Sequence, residues 1–118
     1  MEKDLNIGML MDFYGQLLTE KQFDSLDLYY NQDLSLSEIA EEMQISRQGV
    51  RDSVKRGEKQ LFELEQKLGL VQRFVQISNQ VGQIEKMIEQ LEGQPQAQPV
   101  ADDLKQLKKI SQRIREKL

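Results

Sequence analysis

A chain of 118 residues with a formal net charge of -4, 31% charged residues and 6% aromatics has room for one helical domain and an extension. It contains neither cysteine nor histidine, which excludes disulfides, thiolate metal sites, cysteine nucleophiles and histidine general bases. No apolar run approaches the ~20 residues of a membrane-spanning helix, and the acidic start MEKDLNIGMLMDFYG is unlike a secretory peptide, so a cytoplasmic protein with no membrane association is expected.

Leu5, Met9, Phe13 and Leu17 recur at steps of four, with Leu10, Tyr14 and Leu18 alongside, which predicts a first helix over 4–18 with a wide apolar stripe. Thr19 and Gln22 have capping-box spacing, and Phe23, Leu26, Tyr29 and Tyr30 mark the buried face of the next helix. A polar NQDL turn precedes a second box, Ser35 with Glu38, opening a short helix that carries Ile39, Ala40 and Met43. After a break at Gln44 and Ile45, Ser46 is a third N-cap. Its helix turns Val50, Val54 and Leu61 inward, with Gly57 where another helix can approach. KLGL at 67–70 interrupts or ends it, because glycine is disfavoured inside helices and favoured just past them.

From Leu70 to Leu91 the apolar residues follow a nearly heptad seam interrupted by Ser78, with Gln72, Gln76, Gln80 and Gln83 along one side. EGQPQAQPVADD reads as the linker, at 93–100. A last helix, 101–118, has Leu104, Leu107, Ile110, Ile114 and Leu118 on one side, acids in its first turn and bases toward its end. The expected fold is all-α: a helix-turn-helix domain over 1–68, then a helical hairpin extension over 69–118 that is a candidate dimer or partner surface. Apolar stripes on a hairpin must be covered by each other, by the N-terminal unit or by a second copy, so homodimerisation is one expectation.

The net charge conceals two basic blocks. Residues 1–45 carry -8, 46–60 carry +3, 61–103 carry -4 and 104–118 carry +5. A polyanion partner is therefore compatible with an acidic chain. The first block sits on a pattern with the physical requirements of a helix-turn-helix. Ala40 is small where the second helix crosses the first, Ile45 plugs the turn, and Val50 is buried one turn into the second helix. Ser46, Arg47, Gln48 and Arg51 are donors on its exposed N-terminal turn, while Lys55, Arg56 and Lys59 continue toward phosphates. Two features depart from the pattern. Gln44 stands where glycine is common, and Ser53 stands where an apolar residue is common, with Val54 beside it able to fill the place.

The segment LTEKQFDSLDLYYNQDLSLSEIAEEMQISRQGVRDSVKRGEKQL resembles region 4 of bacterial sigma factors. It resembles more closely the small bacterial YlxM-like proteins, whose N-terminal half is this unit. The resemblance rests on L-x-L-x-E-I-A-E at 34–41, ISRQ-x-V-x-D at 45–52, VKR-x-E-x-x-L at 54–61 and QKLGL at 66–70, about 70 residues in all. It implies a non-enzymatic accessory or regulatory factor of the signal recognition particle pathway, encoded beside the particle's GTPase. The implied partners are the particle's RNA or duplex DNA, and the GTPase itself.

An ordinary solvated helix face is the competing explanation for Arg47, Arg51, Lys55 and Arg56, as it is for the second patch of Lys105, Lys108, Lys109 and Arg113. The tyrosines and phenylalanines lie on apolar stripes and read as core. The carboxylate pairs Glu41–Glu42, Glu63–Glu65 and Asp102–Asp103 lack a histidine or metal-like spacing, and no phosphate-binding glycine loop is present, so no catalytic, metal or cofactor site is expected. Three functions stay open: an RNA- or DNA-binding accessory of the targeting particle, a promoter-binding regulator using Arg47, Gln48 and Arg51 on base edges, and a protein adaptor on a helix-turn-helix scaffold.

Overall fold

The computed structural model describes residue 3 and residues 6–118, with the side chains of 96 and 97 outside that description. The described residues form six α-helices and no strand. They are α1 (Ile7–Tyr14), α2 (Glu20–Leu26), α3 (Leu36–Met43), α4 (Arg47–Leu68), α5 (Leu70–Glu92) and α6 (Ala101–Glu116). No helix among these residues is long and apolar enough to cross a membrane. Two compact units result, Met1–Val71 and Gln72–Leu118.

In the first unit the predicted caps are made as spaced. Thr19 accepts from the Gln22 amide at 3.2 Å and Ser35 from the Glu38 amide at 3.1 Å, and each box is closed by the Thr19 or Ser35 amide donating back to the Gln22 or Glu38 side-chain oxygen. These bonds satisfy amides that a helix start leaves unpaired, at about 1 kcal/mol each. The Ser35 amide, then its hydroxyl, holds the Glu38 carboxyl below the usual carboxylate range. Acid therefore loosens this cap only as pH falls through that lowered value.

The apolar face of α1 is rotated from the expected stripe. Ile7, Leu10, Met11, Tyr14 and Leu18 are buried, whereas Met9 is half-buried and Phe13 and Leu17 are exposed; Leu5 lies outside the described residues. The helix stops at Tyr14 and tightens into a 3-10 turn over Gly15–Leu17, so a strict step of four does not persist. The expected inward Phe23 is also partly exposed, lying over Gly15 at the surface while Leu26 is fully buried. Tyr29 and Tyr30 fall on a π-helical turn, Asp27–Asn31, with their rings edge to face. Tyr30 donates to Glu58 of α4 at 2.6 Å.

A polar knot ties α1 to the end of α4. The Tyr14 hydroxyl donates to Glu65 at 2.6 Å and accepts from the Leu70 amide at 3.1 Å, while Glu65 also accepts from the Val71 amide at 3.0 Å. Glu65 and Tyr14 thus cap the start of α5 immediately after Gly69, which closes α4 in the left-handed conformation at φ 64°. Tyr14→Phe is expected to cost about 1–2 kcal/mol, since it removes both bonds of a buried hydroxyl. Burial, then the Glu65 bond, raises the Tyr14 pKa above its ordinary 10.0. The folded state therefore holds that proton more tightly, and the associated stability is lost as pH climbs past 10 toward the raised value. Urea unfolding of both proteins from neutral to strongly alkaline pH checks this: the variant should lose part of the alkaline decline. Parallel declines would remove Tyr14 as its source.

In the second unit α5 and α6 run antiparallel. Arg115 forks onto Glu85 with bonds of 3.0 and 3.3 Å, and Val81, Ile88, Leu104 and Ser111 are buried. The stretch expected as a plain linker at 93–100 coils into 3-10 turns over Pro95–Val100. Proline fixes φ near the helical value and is accepted at a helix start, so Pro95 initiates the turns as well as ending α5's path.

Candidate nucleic-acid interface

Helices α3 and α4 meet through a short left-handed turn. Gln44 adopts φ 57° and ψ 44°, its amide bonding back to the end of α3, and the Ile45 amide reaches the Ala40 carbonyl at 3.1 Å. Glutamine takes the conformation that glycine favours, at a cost set by its Cβ. Gln44→Gly should accordingly gain about 0.5 kcal/mol, the steric relief exceeding the extra chain entropy. A higher urea midpoint with unchanged slope would be the sign of this; a lower one would show that the side chain holds the turn.

Ser46 is extended and accepts the Gly49 amide at 2.9 Å, which sets the first turn of α4. The buried side of α4 is Val50, Val54 and Leu61, all fully enclosed, with Gly57 against Leu26 of α2. Ser53 is buried too, beside Val54 rather than displaced by it. Its hydroxyl is 3.0 Å from that of Ser25, which donates to the Lys21 carbonyl at 2.7 Å. A polar pair therefore satisfies itself where an apolar contact was expected, consistent with buried hydroxyls finding partners.

This anchoring decides what faces water. Arg47, Gln48 and Arg51 line one shallow groove with Leu36 at the start of α3. Gln48 also donates to Asp52 at 3.0 Å, a bond exposed enough to be exchanged for another acceptor. At 3.6 residues per turn, Arg47, Arg51, Lys55 and Lys59 form a strip that winds slowly along the exposed side. Ser46 opens that strip, though its side-chain oxygen serves the cap.

Arg56 is placed apart. It borders a groove on the flank facing α2, with Thr19, Lys21, Gln22 and Asp52. Arg56 and Lys59 also line a shallow cleft farther down α4 with Gln60, Glu63 and Lys67. Lys21 and Lys67 had no sequence signal. Lys21 lies inside a capping box 35 residues from Arg56, and only the packing of α2 on α4 brings them to one groove. Acidic residues gather elsewhere, in a groove of Asp24, Asp27 and Glu42 that includes nothing from α4. In the second unit Lys105, Lys109 and Arg113 are exposed and Lys108 is half-buried.

Among the described residues no three histidine, cysteine, aspartate or glutamate side chains are grouped to hold a metal. The arrangement offers cationic donors beside a helix start, a chemistry suited to holding a polyanion.

Residues 1–102 match the family model UPF0122, "Putative helix-turn-helix protein, YlxM / p13 like". A UPF0122 protein of Acetivibrio thermocellus is 47% identical over 116 residues, covering 98% of this chain and 97% of its own. One from Thermoanaerobacter sp. strain X514 is 51% identical over 85 residues, 72% and 73% of the two chains. One from Bacillus cereus strain AH187 is 46% identical over 92 residues, 78% and 84%.

Proposed function

This chain belongs to the UPF0122 helix-turn-helix family, and on that premise we propose that it is a non-enzymatic nucleic-acid-binding accessory or regulatory protein of the signal recognition particle pathway. The polyanion is held by Arg47, Gln48, Arg51, Lys55 and Lys59, with Ser46 fixing the helix start and Arg56 reaching a strand from the flank. The observation that carries this reading is the groove of Arg47, Gln48 and Arg51 at the N-terminal turn of α4, set there by the buried Val50, Val54 and Leu61. The nucleic-acid partner is the particle's RNA or duplex DNA, with the particle's GTPase as a protein partner. The hairpin domain, including Lys105, Lys108, Lys109 and Arg113, is a second contact surface. Catalysis is not part of the reading. Histidine and cysteine are absent from the chain, and the carboxylates Glu58 and Glu65 are engaged by Tyr30 and Tyr14.

Equilibrium binding of labelled particle RNA and of random duplex DNA across a salt series tests it. Five contacting cations imply a slope of log K against log salt of about -3.5 for a single strand to about -4.5 for a duplex. RNA bound more tightly than DNA at matched salt supports the accessory role, while preference for duplex DNA moves the protein to promoter regulation. Absence of binding to either at low salt sinks the nucleic-acid reading. The adaptor reading would then stand, favoured by the -8 carried by residues 1–45.

A further inference from the structure

We propose that the α5–α6 hairpin pairs with a second copy of this chain, α6 lying antiparallel to the partner's α6 across a two-fold axis at the level of Ile110. The inference is independent of the nucleic-acid reading. Both helices carry complete three-four apolar spacing: 74, 77, 81, 84, 88 and 91 on α5, and 104, 107, 111, 114 and 118 on α6, with Ser111 the one polar member. Only part of each seam is buried, Val81 and Ile88 on α5 and Leu104 and Ser111 on α6.

The remainder stays open, with Ile84 46%, Met87 63%, Leu107 49% and Ile110 52% exposed, and Leu91 and Ile114 similar. Successive residues turn by about 100°. Ile84, Met87 and Leu91 therefore lie on one flank of the line where α5 meets α6, and Leu107, Ile110 and Ile114 lie on the corresponding flank of α6. Because the helices are antiparallel, both flanks open to the same side of the hairpin. Six large side chains about half exposed leave on the order of 500 Å² of apolar surface, near the upper limit for a monomer. Two such faces together bury about 1,000 Å², the lower bound of a specific interface. Apolar stripes this wide are those of helices in four-helix bundles, which two hairpins complete.

Charge identifies the occupant as a second copy. Asp103, Ile110 and Lys117 stand a heptad apart along the outer rim of the α6 face. An antiparallel α6 pair centred on Ile110 sets Asp103 against Lys117 of the partner subunit at both ends, a self-complementary contact. Lys105, Lys109 and Arg113 turn away from this face and stay in water. The α5 rim is Gln76, Gln80 and Gln83, which does not repel its own kind.

Sedimentation equilibrium of the full chain, with far-ultraviolet circular dichroism as the fold control, tests the pairing. Wild type should be a dimer, and Ile110→Glu should weaken it at least about tenfold. Asp103→Lys alone and Lys117→Asp alone should each weaken it several-fold, and the double exchange should restore it. A monomeric wild type at the highest soluble concentration overturns the proposal. A dimer indifferent to Ile110→Glu overturns the face, and failure of the double exchange to rescue overturns the antiparallel register. A monomer whose thermal stability falls with Ile110→Glu would assign the face to the chain's own N-terminal unit instead, and also overturns it.

Discussion

Reversing two charges together, Arg51→Glu with Lys55→Glu, should lower affinity for RNA or DNA about a hundredfold at low salt. Both residues are exposed, each about 100° round α4 from the buried Val50 or Val54 that precedes it, so the fold has no stake in them. Each change removes one phosphate contact and puts a carboxylate in its place. Losing two contacts alone reduces the salt slope by about 1.5, and the added repulsion deepens the loss where screening is weak. The difference from wild type should therefore shrink as salt rises. Helical content and unfolding midpoint should be unchanged within the usual range for surface substitutions, about 0.5 kcal/mol. Equal affinity of variant and wild type would move the polyanion site off α4, and the matching reversal of Lys105 and Lys109 would then be the informative experiment.

Gly57→Val should destabilise the first unit by about 3 kcal/mol. A Cβ built on Gly57 meets Leu26 Cδ1 at 2.8 Å and Cγ at 3.3 Å. Leu26 is fully buried, so it has no empty space to turn into. Alanine at this position gains roughly 1 kcal/mol of helix propensity against that clash. Valine adds two methyl groups and a restricted χ1, so overpacking wins. Gly82 supplies the control, since a Cβ there meets only the Arg115 guanidinium at 3.7 Å and reports propensity with little strain. Urea denaturation followed by circular dichroism measures both. An unchanged midpoint for Gly57→Val would mean that α2 and α4 can separate at no cost, contrary to the contact described. Loss of nucleic-acid binding should accompany the loss of fold, because the same α2–α4 packing orients the basic strip.

Much of this architecture was legible because it depends on residues close in sequence. Thr19 with Gln22, Ser35 with Glu38, and Ser46 three residues before Gly49 are local spacings, and each is a cap in the structure. Gly69 ends α4 where a left-handed residue is needed, which glycine alone adopts freely. The inward positions Val50, Val54 and Leu61 followed from helical period, and with them the outward side of Arg47 and Arg51.

Periodicity was weakest where apolar residues crowd the helix. In IGMLMDFY several faces are hydrophobic, and the choice of Ile7, Leu10, Met11 and Tyr14 over Met9 and Phe13 came from what α1 packs against. The Ser25–Ser53 pair, 28 residues apart, likewise has no local signature. The same holds for the Tyr14–Glu65 knot and for Lys21 beside Arg56. By itself the sequence determined the all-helical character, the N-caps of α2, α3 and α4 and the outward side of α4, because hydrogen-bonding range and helical period are properties of neighbouring residues. Tertiary structure alone decided which apolar face of α1 is core, how Ser53 is satisfied and which cations share a groove, because each depends on side chains that only packing brings within a few ångströms.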